Sequence, residues 1–365
     1  MKRYFVLQNA REKRFYTIET EKTRYTACYG RLDKDDAHTI NYDCKDEKEC
    51  QRDSTSLINS LLRNKYVEVT AAEMERIKTM LLTPTPDSAR FGLTYDEVEA
   101  GKTNTDLINA ILADEKLPSL KHLIIASWAE PWDISCQEII DQLIAHSSRF
   151  SGIESLCMGE MESEECEISW ILQGDYSKFW KAFPNLKAIT IQSGNGLVLG
   201  DVASTRLESI EIITGGLPSP VIQSITKART PNLRKLNLYL GIYEYGFDGG
   251  IENIKALVTR SDFPKLEYLG VCNSDLQDEI AELLVTCKYA PLLKTLDLSK
   301  GTLSDKGANS ILKHAKNLKN LVHLDLSYHY ISDEMQKKLS QLPFTVDLSD
   351  PQEPEDEDAY PMFTE

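Results

Sequence analysis

The sequence predicts an α/β fold in which parallel strands stack in chain order, preceded by a small α+β domain. Two strings carry the prediction: LDLSKGTLSD begins at Leu296, and LDLSYHYISD begins at Leu324, twenty-eight residues later. Repetition at such a period is typical of architectures built from stacked coils, so the two strings are predicted to be adjacent coils of one core.

The pattern L-x-x-L-x-L behind these strings recurs along most of the chain. Its eight copies begin at Leu120, Ile153, Leu186, Leu207, Leu233, Leu266, Leu293 and Leu321, and a shorter copy, TVDL, begins at Thr345. The intervals between the eight copies range from 21 to 33 residues. This spacing is that of a leucine-rich repeat, in which each coil places a short strand on a concave face and a helix on the convex face.

The segments between the strands are predicted to be helices. QDEIAELLVTCKYA (277–290) and DKGANSILKHAKNL (305–318) space their apolar residues at three and four, as a helix packed on a core requires. The strings PNL, PKL and PLL precede three of the strands, and a proline there is suited to ending a helix.

In a strand, alternate residues point to opposite faces, so the residues between the interior leucines are expected on the concave surface. This set includes Glu211, Asn237, Tyr239, Tyr268, Cys272, Asp297, Ser299, Lys300, His323, Asp325, Ser327, Tyr328 and His329. From it we predict a partner-binding site at Tyr239, Tyr268, Asp297, Asp325, Tyr328 and His329. The alternative is that Asp297 and Asp325 belong to the repeat consensus and only solvate it.

Charge separates two parts of the chain. The net charge is −16, but residues 1–70 carry 14 Lys and Arg against 12 Asp and Glu, while the remainder holds 27 against 45. Since phosphate neutralisation supplies most nucleic-acid affinity, only the N-terminal part is suited to that partner. No signal-peptide core or membrane-spanning run is apparent, and the cysteines show no zinc or disulfide spacing, which together predict a cytoplasmic protein.

From about residue 90 to the end, the chain resembles a bacterial family of leucine-rich-repeat proteins with no known biochemical role. The resemblance rests on SEECEISWILQGD (163–175), GGLP (215–218), YLGIYEYG (239–246), LDLSKGTLSDKGA (296–308) and VDLSDPQEPEDED (346–358). It implies the repeat fold and brings no activity with it.

The N-terminal part resembles a WGR domain, the small α+β module of poly(ADP-ribose) polymerases and of bacterial proteins related to the molybdate-metabolism regulator. The resemblance rests on RYFVLQ, KRFYTIET, YTACYGRLD (25–33) and DSTSLINSLLRNKYVEV (53–69). Tyr29 replaces the tryptophan, Gly30 and Arg31 match, and Asp33, Asp35 and Asp36 stand where the family usually continues with glycines. The resemblance implies a nucleic-acid contact at these matching positions, to which we add the nearby Arg24.

These patterns predict four parts. A WGR-like domain spans 1–72, a linker and solenoid cap span 73–118, the repeat domain spans 119–350, and an acidic tail spans 351–365. LLTPTPDSAR (81–90) has the prolines and polar residues of a linker. The tail lacks Lys and Arg, which is typical of a solvated, disordered segment, although VDLSD is suited to the last strand.

The octet SEECEISW (163–170) is the most distinctive motif outside the repeats. Cys166 is a poor candidate nucleophile because neighbouring glutamates raise the pKa of a thiol. The glutamates also lack the spacing of a calcium loop. We therefore interpret the segment as an exposed acidic contact loop, with Glu164 and Trp170 as its candidate binding residues.

Taken together, the sequence favours a non-catalytic scaffold that binds a protein partner on the concave face, without a cofactor, metal or small-molecule substrate. The first alternative is a nucleic-acid-associated regulator that binds DNA through the WGR-like domain. An enzyme using the acidic octet is the least favoured class.

Overall fold

The computed structural model describes residues 2–8, 13–32, 37–63, 66–82, 87–354 and 358–363. The chain forms two compact units, Met1–Thr85 and Pro86–Glu365. Each unit has its own sheet and its own buried core.

The first unit is built on a five-stranded antiparallel sheet with the order β4-β3-β2-β1-β5. Its elements are β1 (Lys2–Gln8), β2 (Lys13–Glu21), β3 (Arg24–Arg31), β4 (His38–Asp43), α1 (Glu47–Arg63), β5 (Val67–Val69) and α2 (Ala71–Leu82). Alternate residues of each strand point to opposite faces of the sheet, and a different helix packs on each face. Phe5 and Ile18 pack with Cys50 and Leu61 of α1, whereas Phe15 packs with Met74 of α2.

The second unit contains a ten-stranded parallel sheet in which every strand pairs with its neighbours in chain order. The strands are β6 (Ser88–Phe91), β7 (His122–Ile125), β8 (Ser155–Met158), β9 (Ala188–Gln192), β10 (Ser209–Ile213), β11 (Lys235–Gly241), β12 (Tyr268–Ser274), β13 (Thr295–Asp297), β14 (His323–Asp325) and β15 (Thr345–Asp347).

Helices connect most of these strands. They are α3 (Tyr95–Glu99), α4 (Asn104–Ala113), α5 (Gln137–Ala145), α6 (Phe179–Ala182), α7 (Ser219–Thr226), α8 (Ile251–Arg260), α9 (Gln277–Leu284), α10 (Asp305–His314) and α11 (Asp333–Leu339). The two helices predicted from sequence are α9 and α10, and both are confirmed. Ser304 caps α10 by accepting a hydrogen bond from the amide of Lys306, which satisfies one of the donors that a helix start leaves open.

The leucine pattern forms the core of the second unit. Leu236, Leu269, Leu296 and Leu324 lie side by side in register on consecutive strands and are almost entirely buried. All nine sequence patterns coincide with strands β7 to β15, so the α/β class and the parallel order are confirmed.

Two elements lie where the sequence analysis placed a linker. Ser88–Phe91 forms β6 and pairs with β7, and α2 packs through Met74 and Ile77 on the first unit's sheet. Residues 83–86 of the predicted linker lie outside the described residues. Within the described part of the chain, no helix has the length and apolar character needed to cross a membrane.

Candidate functional site

A segment near the end of the sequence packs across four consecutive coils of the second unit. Residues 358–363, here called the tail segment, contact a groove lined by Tyr239, Asn273, Lys300, Tyr328 and Tyr330. These residues belong to β11, to β12 and to the turns that follow β13 and β14. We call this surface the tail groove.

Two tyrosine hydroxyls bind the main chain of Tyr360. The Tyr328 hydroxyl donates to the Tyr360 carbonyl at 3.2 Å, and the Tyr330 hydroxyl donates to the same carbonyl at 3.0 Å. The Tyr330 hydroxyl also accepts a hydrogen bond from the Tyr360 amide at 3.0 Å. The two rings meet edge to face, with centroids 6.3 Å apart.

The next coils bind the following residues of the tail segment. The Met362 amide donates to the Lys300 carbonyl at 2.9 Å. Asn273 binds both main-chain groups of Phe363: its Oδ1 accepts from the Phe363 amide at 2.8 Å, and its Nδ2 donates to the Phe363 carbonyl at 2.7 Å. The Phe363 ring lies 5.9 Å from the ring of Tyr239 and 5.8 Å from the Lys300 ammonium.

The tail segment alternates like an extended chain. Pro361 is buried and Phe363 is half-buried, whereas the side chains of Tyr360 and Met362 remain 51 % and 42 % exposed. This period of two places Pro361 and Phe363 against the groove. The predicted disorder of the acidic tail is therefore wrong for residues 358–363, which the groove holds in place.

The groove uses one repeated position of the coils. Asn273, Lys300, Tyr328 and Asp350 occupy equivalent places in four consecutive coils, and all have left-handed backbone angles, with φ between 56° and 67°. Residues other than glycine seldom adopt this conformation, which costs on the order of 1 kcal/mol each. Its repetition turns the chain sharply at each strand exit and presents three of these residues to the tail segment.

The expectation that the strand-face residues are exposed is wrong. Tyr239, Asp297 and His329 are buried, as are Asn237, Cys272 and Ser299, and the rest of the set is half-buried. Strands about 4.8 Å apart bring their side chains into lateral contact. The tail segment adds further cover, because Phe363 packs beside Tyr239.

Lateral hydrogen bonds account for much of this burial. Tyr268 donates to a carboxylate oxygen of Asp297 at 2.5 Å, and Asn237 donates to Glu211 at 2.6 Å. Gly270 lies between these pairs, and a Cβ at that position would fall 1.9 Å from the Asn237 side-chain oxygen. A larger residue at position 270 would therefore displace the Asn237 side chain from this arrangement.

Asp297, Asp325 and Asp347 form a ladder across β13, β14 and β15. Each accepts hydrogen bonds from the amide and hydroxyl of the serine two residues later, at 2.6–3.1 Å. Burial, followed by the charge of Asp297, raises the pKa of Asp325. These contacts support the alternative that Asp297 and Asp325 belong to the repeat consensus and do not form a partner-binding site.

His329 joins the last two coils. Its Nδ1 accepts from the Ile331 amide at 3.1 Å, so the proton lies on Nε2, which donates to the Leu348 carbonyl at 3.2 Å. Burial lowers the pKa of this imidazole. His329, which was predicted to contact a partner, thus links two coils of the repeat by hydrogen bonds.

Glu164 and Trp170 lie in the loop after β8, several strands along the sheet from the tail groove. Both are exposed, and Trp170 retains 58 % of its accessible surface. Burial, with Glu167 nearby, raises the pKa of Cys166 to about 11, so its thiol is protonated at neutral pH. Among the described residues, no group of three or more His, Cys, Asp or Glu side chains is placed to hold a metal ion.

The candidate nucleic-acid residues divide between the two ends of β3. Tyr29 stacks on Tyr16 with centroids 5.1 Å apart, and its ring lies 5.7 Å from that of His38. Arg31 pairs in register with Arg14 on β2, beside this aromatic row.

Gly30, next to Tyr29, pairs in register with Phe15 of β2. Arg24 lies at the opposite end of the strand, where it forms an ion pair with Asp43 at 2.6 Å. The three aspartates that follow the matching positions (Asp33, Asp35 and Asp36) lie outside the described residues.

Sequence reasoning missed Asn273, Tyr330 and the tail segment. Of the four residues at the repeated left-handed position, Asn273 is the asparagine. Apart from glycine, asparagine is the residue type that adopts left-handed backbone angles most readily. The string YPMF (360–363) interrupts an acidic tail with apolar residues. Both signals were present, but neither indicates that the two segments meet.

These features define an α/β protein with a sequentially ordered parallel sheet and an extended segment bound across its strand exits. A Bacteroides fragilis protein, whose crystal structure was determined as a structural-genomics target, is 35 % identical to this chain over 97 % of both chains, with a TM-score of 0.70. The chain therefore belongs to the same family as that protein. No family model and no curated protein matches the sequence.

Proposed function

We propose that this chain is a non-catalytic protein-interaction scaffold, built on a leucine-rich-repeat solenoid with a WGR-like domain at its N-terminus. The repeat assignment is supported by the nine leucine patterns that coincide with consecutive parallel strands. The WGR-like assignment is supported by the sequence resemblance and by the antiparallel sheet of the first unit.

One observation carries the functional proposal: an extended peptide segment is bound across the strand exits. The tail segment is held through main-chain atoms by Asn273, Lys300 and the two tyrosines. A surface that binds one extended chain in this way is suited to bind another. The partner site thus moves from the predicted strand face to the tail groove.

The test is affinity recovery from the native cell with two charge-reversal variants of the full chain. Lys300→Glu changes the tail groove, and Lys313→Glu makes the same change on the exposed surface of α10. We expect Lys300→Glu to remove the specific co-purifying proteins, while Lys313→Glu retains them. Recovery that Lys300→Glu leaves unchanged would refute a partner site at this groove.

A nucleic-acid-binding regulator is the second candidate, and the N-terminal cluster favours it. Two arginines in register beside stacked aromatic rings combine the charge that binds phosphate with the surfaces on which bases stack. Arg24 is excluded from this cluster by its position at the other end of β3.

For this candidate we expect weak binding of DNA ends by the full chain at low salt, with a steep decrease as salt rises. Arg31→Ala should weaken binding more than Lys45→Ala, because Lys45 lies beside Glu49 near the start of α1. Fluorescence anisotropy of labelled duplexes across a salt series measures both effects. Equal losses, or no binding at low salt, would exclude a DNA site at Arg31.

A further inference from the structure

We infer that the tail groove recognises an extended partner peptide with a proline followed two residues later by an aromatic residue, and that the chain's own tail segment is its intramolecular competitor. This inference rests on the proposed scaffold function. It adds the chemistry of the partner and the way in which access to the site is controlled.

The polar contacts account for the extended conformation. The tyrosine hydroxyls, the Lys300 carbonyl and the Asn273 side chain all bond to main-chain atoms of the tail segment. The one side-chain contact of this kind among the described residues is a long hydrogen bond, 3.8 Å, from the Lys300 ammonium to the Met362 sulfur. A side-chain amide that pairs with both the N–H and the C=O of one residue selects an extended backbone and accepts many side chains. Any peptide of that shape can form the same bonds.

The side-chain contacts supply the selectivity. Pro361 is buried and Phe363 lies beside Tyr239 and the Lys300 ammonium, while Tyr360 and Met362 point outward. Proline favours an extended conformation before binding, which lowers the entropy lost in the groove, and aromatic-lined grooves commonly bind such segments. The pattern required is therefore proline, any residue, aromatic.

Covalent attachment makes the tail segment a strong competitor. A tethered ligand has an effective concentration in the millimolar range, although its contacts are few. A partner peptide with comparable contacts must overcome this concentration, so the site is closed to weak ligands. Weakening the contacts of Phe363 should open it.

The test measures binding of a labelled peptide with the sequence of residues 358–363, DAYPMF, to the full chain. Phe363→Lys places a second ammonium beside that of Lys300, which lies 5.8 Å from the Phe363 ring, and the repulsion between the two should release the tail segment. We expect the peptide to bind this variant at least tenfold more tightly than the wild type. Phe363→Ala serves as a second released form if the added charge disturbs folding, which a thermal melt checks.

Specificity is tested in the released form. Asn273→Ala should reduce peptide binding at least tenfold, whereas Asn232→Ala should not, because the Asn232 side chain donates to the Thr205 carbonyl in a separate turn. A peptide with alanine in place of its phenylalanine should bind the released form as poorly as the unchanged peptide binds the Asn273→Ala variant.

Three results would overturn the inference: no peptide binding by either released form, equal binding by wild type and released forms, or binding unaffected by Asn273→Ala. A wild-type dimer that Phe363→Lys dissociates would instead assign the groove to the tail of a second copy. Because the peptide comes from this chain, the assay is independent of cellular partners. A positive result here, with an affinity recovery that stays negative even for the released forms, would reject the scaffold function alone.

Discussion

At the level of single residues, position in the repeat was predictable but exposure was not. Asp297 and Asp325 stand at matching places in two similar strings, and the structure places them in register. Their burial arises from neighbours in other coils, such as Tyr268, whose hydroxyl reaches Asp297 across the strands. The period of a strand indicates which face a side chain occupies, but not what covers that face. Truncating Tyr239, which is buried, would therefore cost stability.

The aspartate ladder predicts a pH dependence that Asp325→Asn should remove. The pKa of Asp325 is raised in the folded state, so the wild type loses stability as the pH rises from the ordinary aspartate value through the raised one. Asparagine keeps an acceptor for Ser327 and removes the like charge. At neutral pH we expect the variant to be more stable by roughly 0.5–1 kcal/mol, the magnitude of opposed like charges on paired strands.

Urea unfolding between acidic and neutral pH measures this difference, which should shrink as the pH falls. Asp262→Asn, at an exposed position after α8, is the matched control and should show no such trend. A constant difference between Asp325→Asn and the wild type at all pH values would contradict the assigned cause.

At the level of elements, the strands were predictable because their leucines repeat in a fixed pattern that the core requires. Nine strands followed from that pattern, whereas β6 did not, because SARF lacks the spaced leucines and follows a proline-rich stretch. β6 forms because the edge of β7 offers unpaired backbone groups and Ala89 and Phe91 pack on the core. The sequence pattern alone does not reveal that a segment without spaced leucines, such as β6, pairs with the open edge of the next strand.

The register of the repeat predicts a severe effect of charge in the core. Leu296 and Leu324 are fully buried, so aspartate at either position would bury an unpaired carboxylate among stacked leucines. We expect each variant to lose at least about 4 kcal/mol of stability, as is typical of unpaired buried charges. Val322→Asp is the control, since Val322 is 65 % exposed on the same coil as Leu324 and should change stability by less than about 0.5 kcal/mol. Thermal and urea unfolding compare the three, and a wild-type melt for either leucine variant would reject the register.

At the level of the whole molecule, the contact that defines the site joins residues far apart in sequence. Asn273 and Phe363 are separated by 90 positions, and neither carries a signal for the other. The composition of the tail predicts disorder because its charges disfavour burial. The string YPMF (360–363) reverses that outcome for residues 358–363, since successive coils present hydrogen-bond partners for its main chain.

This contact predicts a local pattern of backbone protection. In stacked coils each unit is stabilised mainly by its neighbours, so removing the tail segment's contacts should loosen the coils that it spans and leave distant coils unchanged. The amides of Asn273, Lys300 and Tyr328 donate to the next coil at 2.8–3.0 Å, directly beneath the tail segment. The Ser193 amide makes the equivalent bond to Ile213 near β9, outside the groove.

Phe363→Ala should therefore speed hydrogen exchange at the amides of Asn273, Lys300 and Tyr328 by about tenfold, which corresponds to roughly 1.4 kcal/mol in the free energy of local opening. Exchange at the Ser193 amide should be unaffected. Tyr360→Ala is the control, because Tyr360 is 51 % exposed and binds Tyr328 and Tyr330 through its main chain, which the substitution keeps. Exchange measured by NMR or mass spectrometry distinguishes the cases. A uniform increase across the sheet would mean that the tail segment stabilises the unit as a whole, and no increase would mean that Phe363 does not hold the segment in the groove.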